Sequence, residues 1–399
     1  MPESAAAGAR LLRAVRWGLL PIVLGVVLAG ALLGESLVTG ARNAVVHTAA
    51  LLGAGDLTIQ PEGVRDGEAG EYVLLESGAV FSNPALMRVP GRVAGRVELR
   101  VEAGAGTRKQ AVDLAGLDGP SDPQAVLLSR FLVRGRWPEA EPLGGPGQHG
   151  VVLGAGLSER LGVGPGDAIR IRAGAPGAPR TWQGRVTGVL RTGLVELDGG
   201  RMWTGLASGQ ELLPVDPSLR AEAATRIAVY LDRPAEAAEW TIAVRRMTLP
   251  QGAEVLTWRQ ANPDALPWGP WQRVQSRTGW MAFGALALVS AAGGILAGLV
   301  SRPAGTSPAW ALLGPGLVGL AFALALYGTL WALLRAVPLP ADFVFPRLGL
   351  ELNPFGDLTG PVALELGVSR ALPLCLTTAG AYGAAAALGR AMAKRIRRH

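Results

Sequence analysis

The chain has 399 residues, of which 49% are hydrophobic and only 17% charged, and its mean hydropathy is +0.29. Soluble domains carry roughly 25% charged residues, so an ordinary water-soluble globule is excluded. Apolar runs gather towards the two ends, while charge, proline and glycine fill the middle, the pattern of a membrane protein with a large water-exposed centre. The net charge of +7 lies partly in basic flanks of apolar runs, which favours anionic lipid over nucleic acid as the partner of those residues.

A membrane span needs about 20 mostly apolar residues at about 1.5 Å rise each. Residues 1–16 hold Arg10, Arg13 and Arg16 and precede the first such run, "WGLLPIVLGVVLAGALLG" from Trp17, which predicts a span over 17–39. That run exceeds the ~7 to 15 residues of a signal-peptide core, so it reads as a retained anchor. Further spans are expected over 279–301, 310–334 and 371–389, joined by a connector at 302–309 and a loop at 335–370. The last ten residues, 390–399, carry Arg390, Lys394, Arg395, Arg397 and Arg398. Basic residues at both ends place both termini in the cytoplasm, and residues 40–278 and 335–370 on the opposite side.

The region 40–278 reads as strands with short helices between them. In "RVAGRVELRVE", Val93, Val97, Leu99 and Val101 alternate with Arg92, Arg96, Glu98, Arg100 and Glu102, which predicts a half-buried strand with a charged outer face. "DAIRIRAG" repeats the pattern, and "TRIAVYLDRP" and "AEVLTW" are further strands. Helical spacing runs from Asp122 to Val133, and one or two turns are expected at Leu157 to Leu161. One large or two smaller α+β subdomains are expected, with "PEAEPLGGPGQHG" as an internal joint.

Catalytic signatures are missing. "GPGQHG" at Gly145 to Gly150 satisfies G-x-G-x-x-G, but a strand-like "VVLG" follows where a nucleotide fold would begin a helix. No phosphate-binding loop and no G-x-S-x-G occur. His47, His149 and His399 have no partner at metal-ligand spacing, and Cys375, the sole cysteine, lies in the fourth run. Neither a catalytic, a metal nor a cofactor site is expected.

"VVLGAGLSERLGVGPGDAIRI", Val151 to Ile171, and "GRVTGVLRTGLVELDGGRMWTGLASGQELL", Gly184 to Leu213, resemble the outer domain of the MacB/FtsX-type (type VII) ABC permeases, most closely the lipoprotein-releasing LolC/LolE branch. "LTIQPEG", "LAGLD", "LVRGRWP" and "LPQGAEVLTWRQAN" follow the same order, so the resemblance covers nearly the whole chain. It implies an α+β membrane protein, with four transmembrane helices arranged one plus three and a large periplasmic domain of MacB-like type between the first two. Gly154, Gly164, Gly166, Asp167, Gly193 and Asp198 identify that scaffold as turn formers and mark no ligand site.

The resemblance implies a bacterial inner-membrane subunit that works with ABC ATPase subunits, a second conventional permease, lipoprotein substrates and a periplasmic lipoprotein carrier. ATP and Mg would enter only through the ATPase. An acyl-chain cavity is expected to involve Ile22, Val26 and Leu33 of the first span and Met281 and Leu288 of the second. The family's acidic coupling helix is replaced by "RPAGTSP", in which Arg302, Pro303 and Pro308 leave no room for two helical turns. A carrier-recruiting hairpin is reduced to "AGAPGAPRTWQG", with Pro176, Pro179 and Trp182 as candidate loop residues. The implied function is that of a coupling-deficient permease-like subunit in lipoprotein transport. A permease-derived envelope scaffold or receptor without ATPase contact, and a regulator of a periplasmic enzyme, are the alternatives.

Overall fold

The computed structural model describes residues 19–396 except 54, 64–72, 75–76, 139–148, 175–178, 248, 251, 262–265, 267, 301–308 and 366–367. Two compact units result, one built on a sheet (Val45–Leu266 with Phe355–Thr359) and one on apolar helices. The first helix, α1 (Leu20–Leu52), runs through 33 residues and belongs to both.

Among the described residues the sheet unit has ten strands: β1 (Leu57–Pro61), β2 (Gly91–Ala105), β3 (Arg108–Leu117), β4 (Leu132–Gly135), β5 (His149–Gly154), β6 (Ala168–Ala173), β7 (Arg180–Leu190), β8 (Arg201–Gly205), β9 (Arg226–Leu231) and β10 (Ala253–Thr257). Helices lie between the later strands: α2 (Pro123–Ser129), α3 (Ala155–Leu161), α4 (Val195–Gly200), α5 (Leu206–Gln210) and α6 (Ala237–Arg245).

Six strands close on themselves in the order β2, β3, β8, β5, β7, β6 and back to β2. The β3/β8 and β5/β7 pairs are parallel and the other four are antiparallel. Alternation drives the closure, because side chains two residues apart share a face. Val97, Leu99, Val101 and Ala103 of β2, Ile169, Ile171 and Ala173 of β6, and Val151 and Leu153 of β5 all point into one buried core. In β6 the intervening Ala168, Arg170 and Arg172 stay exposed.

The other half of the network is an open sheet in the order β10, β1, β9, β2. Leu57, Ile59, Ile227, Val229, Leu231 and Val255 form its core, with Val244 of α6 packed on it. The two halves share β2, which pairs with β9 from Gly91 to Arg96 and with β3 from Arg96 to Ala105. The sheet region is one compact unit rather than two separate subdomains.

Two local expectations are corrected. Arg96 does not face solvent with its neighbours; it is 0% exposed and paired with Asp122. The helix expected from Asp122 to Val133 is capped by the Asp122 side chain and ends at Ser129, and β4 begins at Leu132. Two apolar residues in helical register, Phe131 and Val133, thus belong to the turn and strand after the helix.

The helical unit holds the first part of α1 together with α7 (Trp268–Val300), α8 (Ala309–Ala336), α9 (Ala341–Leu348) and α10 (Val368–Ile396). Among the described residues, α1, α7, α8 and α10 are long and apolar enough to cross a membrane. Glycine sets how closely they approach. A Cβ at Gly294 or Gly298 of α7 would fall 2.5 Å from the Tyr382 carbonyl oxygen or 2.4 Å from that of Ala386, and one at Gly389 of α10 would fall 2.4 Å from that of Ile295. This G-x-x-x-G face lets two backbones touch, as small residues do between helices in lipid. Leu28, Leu32, Ala282, Leu286, Ala323 and Leu374 form an apolar cluster in the same unit.

Candidate functional site

The glycines and aspartates of the sequence stretches from Val151 to Leu213 work as joints. Asp167 Oδ2 accepts from the Gly164 amide at 2.8 Å, and Gly166 has φ +100°, a conformation that favours glycine. Asp198 accepts from the Thr192 amide at 2.8 Å and the Gly193 amide at 3.0 Å, which fixes the turn after β7. A Cβ on Gly154 would lie 2.4 Å from the Asp198 carbonyl oxygen, so the end of β5 and α4 are packed backbone to backbone. These residues build the scaffold, as their turn chemistry indicates.

His149 opens β5 and is buried. Its Nδ1 lies 3.0 Å from Ser208 Oγ, its Nε2 lies 3.2 Å from Glu211 Oε2, and the Trp182 ring sits over it at 4.4 Å. A hydroxyl, an imidazole and a carboxylate in a row have the composition of a hydrolytic triad. Here Ser208 is 3% exposed and the indole packs against the imidazole, so the hydroxyl and the ring are held in the core while the Glu211 carboxylate is exposed at its edge. Burial pushes the His149 imidazole down and the Glu211 carboxylate opposes that shift. Among the described residues no cluster of three or more metal-ligating side chains occurs.

A groove of about 530 Å³ opens on the sheet unit across β2, β3, β6 and β7. Strand register explains it. Gly104 of β2 sits between Lys109 of β3 and Arg170 of β6, while Glu102 sits opposite Arg172. The missing side chain at Gly104 leaves a floor between two cations. Lys109 is held by Glu102 at 3.0 Å, and Arg170 and Arg172 project from the exposed face of β6. Thr181 and Gln183 of β7 complete the wall. Among the described residues the groove thus presents Lys109, Arg170 and Arg172 against one lining carboxylate, Glu102, and suits an acidic surface.

Pro179 lines this groove, Pro176 lies outside the described residues, and Trp182 points the other way, into the barrel core. Arg302, Pro303 and Pro308 also lie outside the described residues. In the helical unit Ile22, Val26, Met281 and Leu288 are exposed, and Leu33 is half-buried. A separate apolar crevice of about 150 Å³ is lined by Leu24, Leu313, Leu317, Leu320 and Tyr382.

Polar residues inside the helical unit are not flagged by any motif. Glu35 is 4% exposed in α1, and Ser36 Oγ lies 2.8 Å from Tyr327 Oη of α8. The first uncharged run ends at Gly34, so the available signal is an acidic residue at its border, costly in an apolar phase and rarely placed there without use.

Residues 19–246 match the family described as MacB-like periplasmic core domain. No curated protein matches the chain. Among solved structures, the crystal structure of the extracellular domain of the noncanonic ABC-type transporter YknZ from Gram-positive bacteria is similar at 14% identity, over 50% of this chain and 98% of that one, with a TM-score of 0.32. The family match begins beside α1, crosses the barrel and β1 and β9 of the open sheet and ends just past α6, short of β10, more than half of the sequence. The chain therefore belongs to the MacB-like periplasmic core domain family, whose members are permease-type components of ABC transporters.

Proposed function

We propose that the chain is a permease-like subunit of an inner-membrane ABC complex that extracts lipoproteins and releases them towards the outer membrane. The observation that carries this reading is the family match running from a long apolar helix through the whole barrel, in a chain with four helices long and apolar enough to cross a membrane among its described residues. The lipoprotein branch is supported by the "VVLGAGLSERLGVGPGDAIRI" and "LRTGLVELDGG" stretches, whose Gly154 and Asp198 are packed together. Each buried CH2 of an acyl chain holds a lipoprotein in the bilayer by about 0.8 kcal/mol. Extraction must therefore be driven, and ATPase partners belong to this family's way of working.

The sequence from Arg302 to Pro308 leaves no room for an acidic coupling helix, so a second, conventional permease would supply the contact with the ATPase. Both termini would be cytoplasmic and the barrel periplasmic. The groove at Lys109, Arg170 and Arg172 supports docking of a soluble, acidic partner such as a lipoprotein carrier. The same short connector favours a second reading, a permease-derived scaffold that binds envelope proteins without an ATPase.

Mild-detergent purification of the tagged chain from its own membranes, with mass spectrometry of retained proteins and acylated peptides, separates the two. Recovery of an ATPase and a second permease supports transport, and lipoproteins without an ATPase support the scaffold. Replacing Arg170→Glu and Arg172→Glu should leave folding intact and remove any soluble acidic partner from the eluate. Full retention of that partner would remove the groove from the proposal.

A further inference from the structure

Among the described residues Arg96 is the largest charged side chain wholly enclosed in the protein, and its position is set by β2. It is the last residue of β2 paired with β9, opposite Arg226, and the first paired with β3, opposite Leu117. The strand therefore changes partners at Arg96, where the open sheet and the closed barrel part.

The end of α1 comes to the same point. The Arg96 guanidinium donates to the Gly53 carbonyl and to the Tyr230 hydroxyl. It also donates twice to Asp122, from Nε and a terminal nitrogen, each at 2.9 Å. Asp122 in turn caps α2 by accepting from the Gln124 amide at 2.7 Å, and the Gln124 side chain donates to the Leu52 carbonyl at 2.8 Å. The last carbonyls of a helix have no partner within it and carry partial negative charge. Here a fixed cation and an amide from two neighbouring elements take them up. Leu51 packs on Ala94, Ala228 and Tyr230, and Leu52 on the barrel's outer cluster with Leu117, Leu128 and Trp203.

We propose that Arg96, held by Asp122 and Tyr230, is the positioning residue that fastens the end of α1 to the fork of β2, making this the point where a displacement of α1 enters the sheet unit. A bidentate guanidinium–carboxylate pair fixes direction as well as distance, which a lysine or an apolar contact does not. The role differs from general stabilisation because it predicts a local effect. Loss of the pair should free the helix end and leave the barrel shut.

The test is hydrogen exchange on the full chain in lipid nanodiscs. Arg96→Met with Asp122→Asn removes both charges together, so no uncompensated ion is left buried, and Asn keeps the α2 cap. Amides of 45–53 should exchange at least about tenfold faster while those of β3, β5 and β8 keep their protection. Gln124→Leu, which removes only the Leu52 contact, should give a smaller acceleration confined to the same amides. Unchanged exchange of 45–53 in the double variant overturns the proposal. Equal loss of protection in 45–53 and the barrel strands also overturns it, since the pair would then act as a stabiliser of the whole unit.

Discussion

In the barrel, contact is made by branched side chains projecting from every second residue, as in Ile169 and Ile171 against Val101 and Ala103. Between α7 and α10 contact is made by the absence of side chains, at Gly294, Gly298 and Gly389. Burying apolar area from water drives the first, at about 25 cal/mol per Å². The second has no such driving force if lipid surrounds it, and relies on close backbone packing. The two regions should therefore fail differently under substitution, the barrel to lost volume and the helices to added volume.

The largest effect should come from neither packing mode but from an ion pair that breaks the barrel's rule. Arg96→Met alone leaves Asp122 charged and enclosed, and should cost about 3 to 5 kcal/mol. Thermal unfolding of the purified chain, followed by tryptophan fluorescence, measures it. A loss below about 1 kcal/mol would mean that water reaches Asp122. Ile171→Ala removes volume from a fully enclosed position and should cost about 2 to 4 kcal/mol in the same assay.

For the helices the sign is reversed. Gly298→Leu adds volume against the Ala386 carbonyl and should cost about 1 to 3 kcal/mol, read as lost crosslinking between cysteines placed on α7 and α10. Gly284→Leu, where a Cβ would meet nothing within 4 Å, should leave that crosslink unchanged and serves as the control. Equal loss from both variants would show that these helices do not touch through their glycines.

The smallest effect concerns pH. Burial holds the His149 imidazole below its ordinary value, and Glu211 offsets this in part. The unfolded chain then binds the proton first, so stability should fall as pH drops below about 6.5. Replacing His149→Asn should flatten the difference in unfolding temperature between about pH 7.5 and about pH 5.5, on either side of that value, and an unchanged slope would assign it to other groups.

Much of this contrast is legible in the chain. Period-two alternation locates β2 and β6 and names their inward residues from Val97 to Val101 and at Ile169 and Ile171, because there one face of each strand is buried in the barrel core. Arg96 escapes that reading because its neighbours Arg92 and Arg100 obey the alternation and are exposed, while the cover over Arg96 comes from Gly53 and Asp122. Nothing local to "GRVEL" announces either partner. The G-x-x-x-G of α7 is visible as spacing, yet its partner on α10 lies some ninety residues on by the numbering of Gly298 and Gly389. Barrel closure is equally hidden, since β2 meets β6 only through register. The groove depends on that closure, so its cations can be named from the sequence but not assembled.

The long strand β2 has a further consequence for how the protein is made. Its first partner, β3, comes after a two-residue turn, but β6 and β9 arrive much later in the chain, and β1 waits for β9 and then β10, which ends at Thr257. Contacts so distant in sequence form slowly. During synthesis α1 emerges long before the strands that will hold its far end, and α7 comes almost directly after β10. The sheet unit therefore has only a brief interval between release of its last strand and arrival of the next long apolar helix. A pause in translation near residues 258 to 268 would lengthen that interval, and codon choice there should alter the folded yield without altering a single amino acid.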